Sequence, residues 1–220
     1  MAVRPLGRHQ VHDERSRAFA LEPVALPTKT VLHERHTPIF DQGELGCCTA
    51  CALLGMLSTG PLNLGKAFTL ADAHRVYHDE TLIDDSTIPG HWPPTDTGSA
   101  GIYSCKVAVQ RAWISSYRHA FSLTAALGWL GRQPVSIGVP WMTSMFEPGR
   151  GALLKVDRRS GVEGGHQVCL DGIDPAHSRV RLANSWGSSW GDGGRAWLSY
   201  EDLGWLLNQG GDAVTAILPE

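Results

Sequence analysis

From Cys48 to Leu57 the apolar positions leave almost no polar face, and the run closes on Ser58-Thr59-Gly60-Pro61. That pattern predicts a buried helix at the centre of its lobe. Thr69-Leu70-Ala71-Asp72 has the form of a capping box and predicts a second helix running to about Asp79. Ile102 to Ser115 reads as a third, with Ile102, Val109 and Trp113 near one face. Between these two, residues 80–100 hold Glu80, Asp84 and Asp85, then Pro89, Gly90, Pro93, Pro94 and Gly98, which predicts a long irregular loop.

After residue 120 the pattern changes. Leu123 to Leu130 suits a short helix, and then come short apolar runs bounded by Gly, Pro or Asp: Val135 to Val139, Ala152 to Val156, Gln167 to Asp171, Arg179 to Leu182 and Arg195 to Ser199. A short helix near Asp202 to Leu207 and a strand from Ala213 to Leu218 follow. Helices first and strands afterwards, without βαβ alternation, imply an α+β chain of two lobes sharing one interface. The expected division is an arm over residues 1–27 and one domain over residues 28–220. Within it a helical lobe covers about 45–120 and a β lobe about 121–220. The arm is polar, charged and punctuated by Pro5, Pro23 and Pro27. Residues 30–40 read as an extended lead-in held by Pro38.

With 220 residues the chain suits one globular unit, and a formal net charge of −3 argues against a nucleic-acid scaffold or a polybasic membrane binder. Five cysteines, three of them at positions 47, 48 and 51, do not form an even, dispersed disulfide framework, so reduced thiols are expected. Residues 1–20 carry Arg4, Arg8, Arg15 and Arg17 without an apolar run, and no 18-residue apolar stretch occurs. No signal peptide or membrane span is therefore expected, which favours a cytoplasmic or virion-associated location.

The chemistry concentrates in Asp41-Gln42-Gly43-Glu44-Leu45-Gly46-Cys47-Cys48-Thr49-Ala50-Cys51, a tight loop feeding the buried helix. A cysteine in the first helical turn meets unpaired N–H groups and the positive end of the macrodipole, which stabilise a thiolate. Such a nucleophile needs a base, and the base needs a group to hold its ring. His166 follows Gly164-Gly165 at the start of a strand, and Asn184 opens Asn184-Ser185-Trp186-Gly187-Ser188-Ser189-Trp190-Gly191.

Gln-Gly-x-x-Gly-x-Cys at Gln42 to Cys48, Gly165-His166 before a strand, and Asn-Ser-Trp-Gly-x-x-Trp-Gly at Asn184 to Gly191 resemble, in order, the papain family of cysteine peptidases. The match spans roughly Thr30 to Glu220 and looks closest to compact bacterial and phage-encoded members. The resemblance implies a papain-like two-lobe fold, an N-terminal helical lobe and a C-terminal antiparallel β-barrel-like lobe, with the site in the cleft between them. It implies Cys48 as nucleophile, His166 as base, Asn184 as the group orienting the imidazole, and Gln42 as oxyanion donor beside the Cys48 amide. Trp186 would cover the Asn184 to His166 hydrogen bond and Trp190 would flank the leaving-group side. Gly98, Ser99 and Gly165 would meet substrate backbone. The implied activity is hydrolysis of peptide or isopeptide bonds in a peptide or protein substrate, with no cofactor. A second reading is a papain-like component of a larger assembly such as a virion, with structural partner proteins and little turnover. Leu45, Cys47 and Thr49 depart from the family pattern around the nucleophile.

Other features read as ordinary structure. His74 and His78 stand four apart on a predicted helix, but no glutamate occupies the metalloprotease position between them, so a solvated face and no metal site are expected. Cys48-Thr49-Ala50-Cys51 spells CxxC without a thioredoxin-like surrounding, and Cys51 reads as core. Asp79, Glu80, Asp84 and Asp85 lack the calcium-loop register and are expected to solvate a loop. Trp113, Trp129, Trp141, Trp197 and Trp205 are expected to pack in the core or between lobes.

Overall fold

The computed structural model describes residues 4–85 and 88–219. Its first part carries α1 (Cys48–Leu57), α2 (Leu70–Ile83) and α3 (Gly101–Gln110), and every residue of α1 is buried. Ten consecutive buried positions explain why the helix lacks a polar stripe. Leu53, Leu54 and Leu57 alone each contribute about 1.5–3 kcal/mol of burial. The helix ends where Ser58 and Thr59 turn their hydroxyls back onto the carbonyls of Leu54 and Gly55. At α2 the capping box forms as expected: the Thr69 hydroxyl accepts from the Asp72 amide, and the Asp72 carboxylate accepts from the Thr69 amide.

The remainder is built on seven antiparallel strands: β1 (Val31–Leu32), β2 (Ser116–His119), β3 (Val135–Met142), β4 (Val162–Asp174), β5 (Arg179–Ala183), β6 (Arg195–Ser199) and β7 (Asp212–Ile217). Their order is β2-β7-β3-β4-β5-β6, an open path, with β1 paired to β4. On one face α4 (Leu123–Leu130) and α5 (Tyr200–Asn208) supply Ala126, Leu127, Leu130, Leu203 and Leu206 to a core with Ile137, Val168 and Leu182. The second core joins α1, α2 and α3 to the sheet through Cys169, Val214 and Ala216. Thus α1 lies directly against β4, the strand that carries His166.

Three expectations change. The second helix runs on to Ile83, because Glu80 is fully buried and bonds the Thr49 hydroxyl on α1, so this acid belongs to the core rather than to a solvated loop. Its acidic neighbours are also engaged: Asp79 with Arg111, Asp84 with Ser99, Asp85 with Tyr103. The third helix stops at Gln110, since Ala112 takes a left-handed φ of 52°, and Ser116–His119 already pair with β7 before residue 121. Residues 152–156 form no strand. A 3-10 turn at Arg150–Ala152 precedes them, and only an isolated bridge joins Leu153 to Trp197.

The lead-in to α1 is fixed by Arg35. Its half-buried guanidinium bonds the Thr37 carbonyl and lies over the Phe40 ring. It presses on Gly55, where an added β-carbon would come within 2.5 Å of the nearer nitrogen. Among the described residues no helix is long and apolar enough to cross a membrane, and no cluster of three or more His, Cys, Asp or Glu could hold a metal ion.

Candidate active site

Cys48 is the first residue of α1 and Cys47 its N-cap, so the loop Gly43 to Gly46 delivers the thiol to the positive end of a buried helix. Two contacts hold that loop. The Gly46 amide donates to Asp96 at 2.8 Å, and the Tyr77 hydroxyl bonds the same carboxylate. Tyr77 also accepts from the Gly98 amide at 2.8 Å, so one tyrosine and one aspartate tie the Cys48 loop to the Gly98-Ser99 segment. Sequence reading missed both residues. Only their chain distance from the motif, not their chemistry, hid them.

On β4, His166 turns Nε2 to the Asn184 side-chain oxygen at 2.7 Å. The same oxygen accepts from the Ser185 amide at 2.8 Å, which fixes the carboxamide's orientation. An acceptor at Nε2 places the ring proton there and leaves Nδ1 as the basic nitrogen. That Nδ1 is buried and without a hydrogen-bond partner. Trp186 stacks on the imidazole with centroids 4.7 Å apart, Trp141 meets its edge at 4.8 Å, and Phe146 stacks on the outer face of Trp186 at 5.4 Å. The ring can neither swing out nor reach water. Trp190 is buried behind this group, its indole N–H donated to the Phe146 carbonyl at 2.7 Å.

Gln42 is joined to the same segment. Its side-chain oxygen accepts from the Ser185 hydroxyl at 2.5 Å and its backbone amide donates to the Ser185 carbonyl at 2.8 Å. Its side-chain nitrogen donates to the Leu45 carbonyl at 2.8 Å and, at 3.4 Å, to the carbonyl of Pro5. Cys47 points into the core, its sulfur 3.8 Å from that of Cys51. The Cys51 hydrogen bond and burial hold the Cys47 thiol well above the ordinary range, so it stays protonated.

Pro5 introduces the feature that no motif announced. Residues 4–9 of the arm lie across the site. The Arg4 guanidinium sits over Trp186 at 5.2 Å, and Leu6 packs on Gly164. The backbones of Gly7 and Gln167 lie near enough to the Cys48 thiol to favour its thiolate. The Arg8 amide donates to the Gly165 carbonyl at 3.0 Å, the His9 amide to the Ser99 carbonyl at 2.8 Å, and the Ser99 amide to the Gly7 carbonyl at 2.8 Å. These last two bonds make a parallel bridge between Arg8 and Ser99. Gly98, Ser99 and Gly165 therefore meet a backbone, and it is the chain's own. Gly7 lies so close to the motif loop that a β-carbon there would fall 1.8 Å from the Gly46 carbonyl oxygen.

This cover sets the protonation states. Burial pushes the Cys48 thiol up to about 12 against the pull of those two backbones, and pushes His166 down to about 4 against the smaller effect of Asn184. With the arm in place both partners are neutral near pH 7. A histidine held below its unfolded value of 6.5 contributes stability that is full above that pH and is lost as pH falls towards about 4. The loss is on the order of 3 kcal/mol at the acid end. Urea unfolding at stepped pH from 7 to 4 should show the wild-type chain losing stability more steeply than His166→Gln, and parallel curves would refute the assignment.

No family model matches the chain. The senescence-specific cysteine protease SAG39 of Oryza sativa subsp. indica is 28% identical over 184 residues, 72% of this chain and 52% of that protein. The chain thus spans about half the length of the curated relatives it matches. Among solved structures, xylellain, a cysteine protease from Xylella fastidiosa, superposes with a TM-score of 0.78 at 19% identity, over 100% of this chain and 99% of that one. The bromelain protease of Ananas comosus, in complex with the E64 inhibitor, gives 0.60 at 12% identity over 88% of this chain and 100% of its own. The ragweed allergen Amb a 11 in its proform gives 0.66 at 15% identity over 98% of this chain and 75% of that one. This chain has the papain-like cysteine protease fold.

Proposed function

We propose that this papain-like chain is a cysteine peptidase, hydrolysing peptide or isopeptide bonds with Cys48 as nucleophile, His166 as base, Asn184 as the group that orients the ring, and Gln42 as oxyanion donor. One observation carries the reading. His166 offers an unpartnered basic nitrogen while its other nitrogen is fixed by an oxygen whose own direction is fixed by the Ser185 amide. Attack by the Cys48 sulfur on the carbonyl carbon places negative charge on the carbonyl oxygen. The Gln42 side-chain N–H and the Cys48 amide at the start of α1 are the donors suited to it. His166 then gives the proton taken from the thiol to the departing amine, leaving a thioester that water hydrolyses. Asn184 serves here because a neutral oxygen fixes the tautomer without a charge that competes with the thiolate.

In the described conformation the site is latent. Gly7 packs against the Gly46 carbonyl with its own carbonyl engaged by the Ser99 amide, so the arm occupies the cleft. Activity requires the arm to leave, which exposes the thiol and imidazole and removes the burial that keeps both neutral. The second reading, a component of a larger assembly, draws on this closed cleft alone. Mass spectrometry after treatment with an epoxide-bearing thiol inhibitor separates the two. The peptidase reading expects one adduct on Cys48, none in Cys48→Ala, and peptide hydrolysis lost in the same variant. Equal labelling of both proteins, or hydrolysis that survives the substitution, defeats it.

A further inference from the structure

The arm does more than lie over the cleft; it fills one particular hole in it. The Arg8 side chain is only 3% exposed. Its guanidinium pairs with the Asp212 carboxylate at the start of β7 and donates to the Gly210 carbonyl at 3.0 Å. The hole exists because residue 138 on β3 is glycine. A β-carbon there would come within 2.3 Å of Arg8 Nε, 2.5 Å of the Gln167 side-chain oxygen and 2.6 Å of an Asp212 oxygen. Arg8 Nε and that Gln167 oxygen are both buried and both lack a partner. A donor and an acceptor thus converge on one point, along with a carboxylate. Gly101 adds a second gap on the opposite wall, where a β-carbon would meet the Gln167 amide at 2.7 Å.

The position of this pocket gives it meaning. Its walls are Gln167, which follows His166 and whose backbone lies near the Cys48 thiol, and Gly138, which pairs with Gln167 across the sheet. The residue entering the pocket is held by the Gly165 carbonyl, and its neighbour, Gly7, packs against Gly46 in the loop that carries Cys48. A side chain placed here therefore belongs to a residue one removed from the one at the nucleophile. A peptide that takes the arm's place must fill the same hole or leave Asp212 and the Gln167 oxygen facing an empty apolar-walled gap. Leucine would strand a carboxylate, which a site built for a charged partner rejects.

Resting on the peptidase reading above, we infer that Gly138, Gln167, Gly210 and Asp212 form an arginine-selecting subsite, so that the substrates are peptides with arginine one residue from the reacting carbonyl. In the resting chain Arg8 fills the subsite from an arm whose order, Gly7 then Arg8, is the reverse of the substrate's. Arginine suits it better than lysine, because the guanidinium offers donors along a fork: one nitrogen to Asp212 and Gly210, and Nε towards Gln167.

The test uses the full chain carrying Arg8→Ala, which empties the pocket. Peptides that differ only in arginine, citrulline or leucine at the residue preceding a glycine at the reacting carbonyl, which is the reverse of the arm's Gly7-Arg8 order, are measured in two ways. Equilibrium binding is read in the Arg8→Ala chain that also carries Cys48→Ala, and hydrolysis with Cys48 intact. The expected result is a preference for arginine over citrulline and over leucine of about 10- to 100-fold. That preference should vanish in Asp212→Asn, which keeps the shape, and separately in Gly138→Ala, which keeps the charge but fills the hole. Arginine-selective binding without hydrolysis upholds the subsite and overturns the peptidase reading. Hydrolysis indifferent to the three residues upholds the peptidase and overturns the subsite. A preference that survives both substitutions, or no binding of any of the peptides, also overturns it.

Discussion

Arg8→Glu accelerates alkylation of Cys48 in the otherwise intact chain by about 10²- to 10³-fold. In the resting chain the sulfur has no exposure, so a reagent reaches it only in the fraction of molecules whose arm has lifted. Residues 7–9 of the arm are held by three backbone hydrogen bonds, and Arg8 adds the ion pair with Asp212, whose guanidinium is buried. Removing one partner of a fully buried pair costs about 3–5 kcal/mol; Asp212 is 26% exposed, so the loss here is smaller, and a glutamate adds repulsion against it. The open fraction rises by the corresponding factor until it saturates, which sets the upper end of the range. Salt should weaken the Arg8–Asp212 pair, whose guanidinium is buried, less than the more exposed contact of Arg4 with Glu147 at 3.6 Å. Rates measured with a small uncharged reagent across the variants decide it. Equal rates for wild type and Arg8→Glu would mean that the arm is held elsewhere.

With the arm released in this way, His166→Ala lowers kcat/KM by about 10⁴- to 10⁶-fold. The size follows from the arrangement, since one imidazole does two jobs. In the proposed scheme it takes the thiol proton through Nδ1 and returns it to the leaving amine, with its ring packed against Trp141 and Trp186. The substrate contacts proposed for Gly165, Ser99 and the Asp212 pocket do not involve the ring. The loss should therefore fall on kcat with KM little changed. An alanine chain retaining more than about a hundredth of the activity would remove His166 from the role proposed for it.

What the sequence made legible was whatever is written in neighbouring residues. The run from Cys48 to Leu57 could only be a buried helix, and Thr69 with Asp72 could only start one, because capping and amphipathicity act within a few positions. Gln42, Cys48, His166 and Asn184 each stood in a short motif, and the fold does bring the segments together, Gln42 to Ser185 and His166 to Asn184. What depended on distant partners was hidden. Glu80 read as part of an acidic loop, and only its contact with Thr49 on another helix makes it a core residue and extends α2 to Ile83. The run from Ala152 to Val156 had the composition of a strand, yet Gly151 and Ala152 both take positive φ, and the chain bends there instead of pairing. The arm was hidden most completely. Leu6-Gly7-Arg8 has no periodicity, and the carboxylate that gives Arg8 its purpose lies near the other end of the sequence.

Gly7 also determines how the closed state is encoded. Since the Gly46 carbonyl leaves no room for a β-carbon, the arm fits its seat in a single register. A slip by one residue in either direction would drive the side chain of Leu6 or Arg8 into that carbonyl and pull the guanidinium away from Asp212. The off state is thus spelled by two adjacent letters, the smallest residue and one of the longest, acting like the notch and the tooth of a key. Neither the length of the arm nor its bulk carries that information. On the peptidase reading proposed above, the chain holds its own chemistry in check by the phase of its backbone, in the way a combination lock is held by the alignment of one ring.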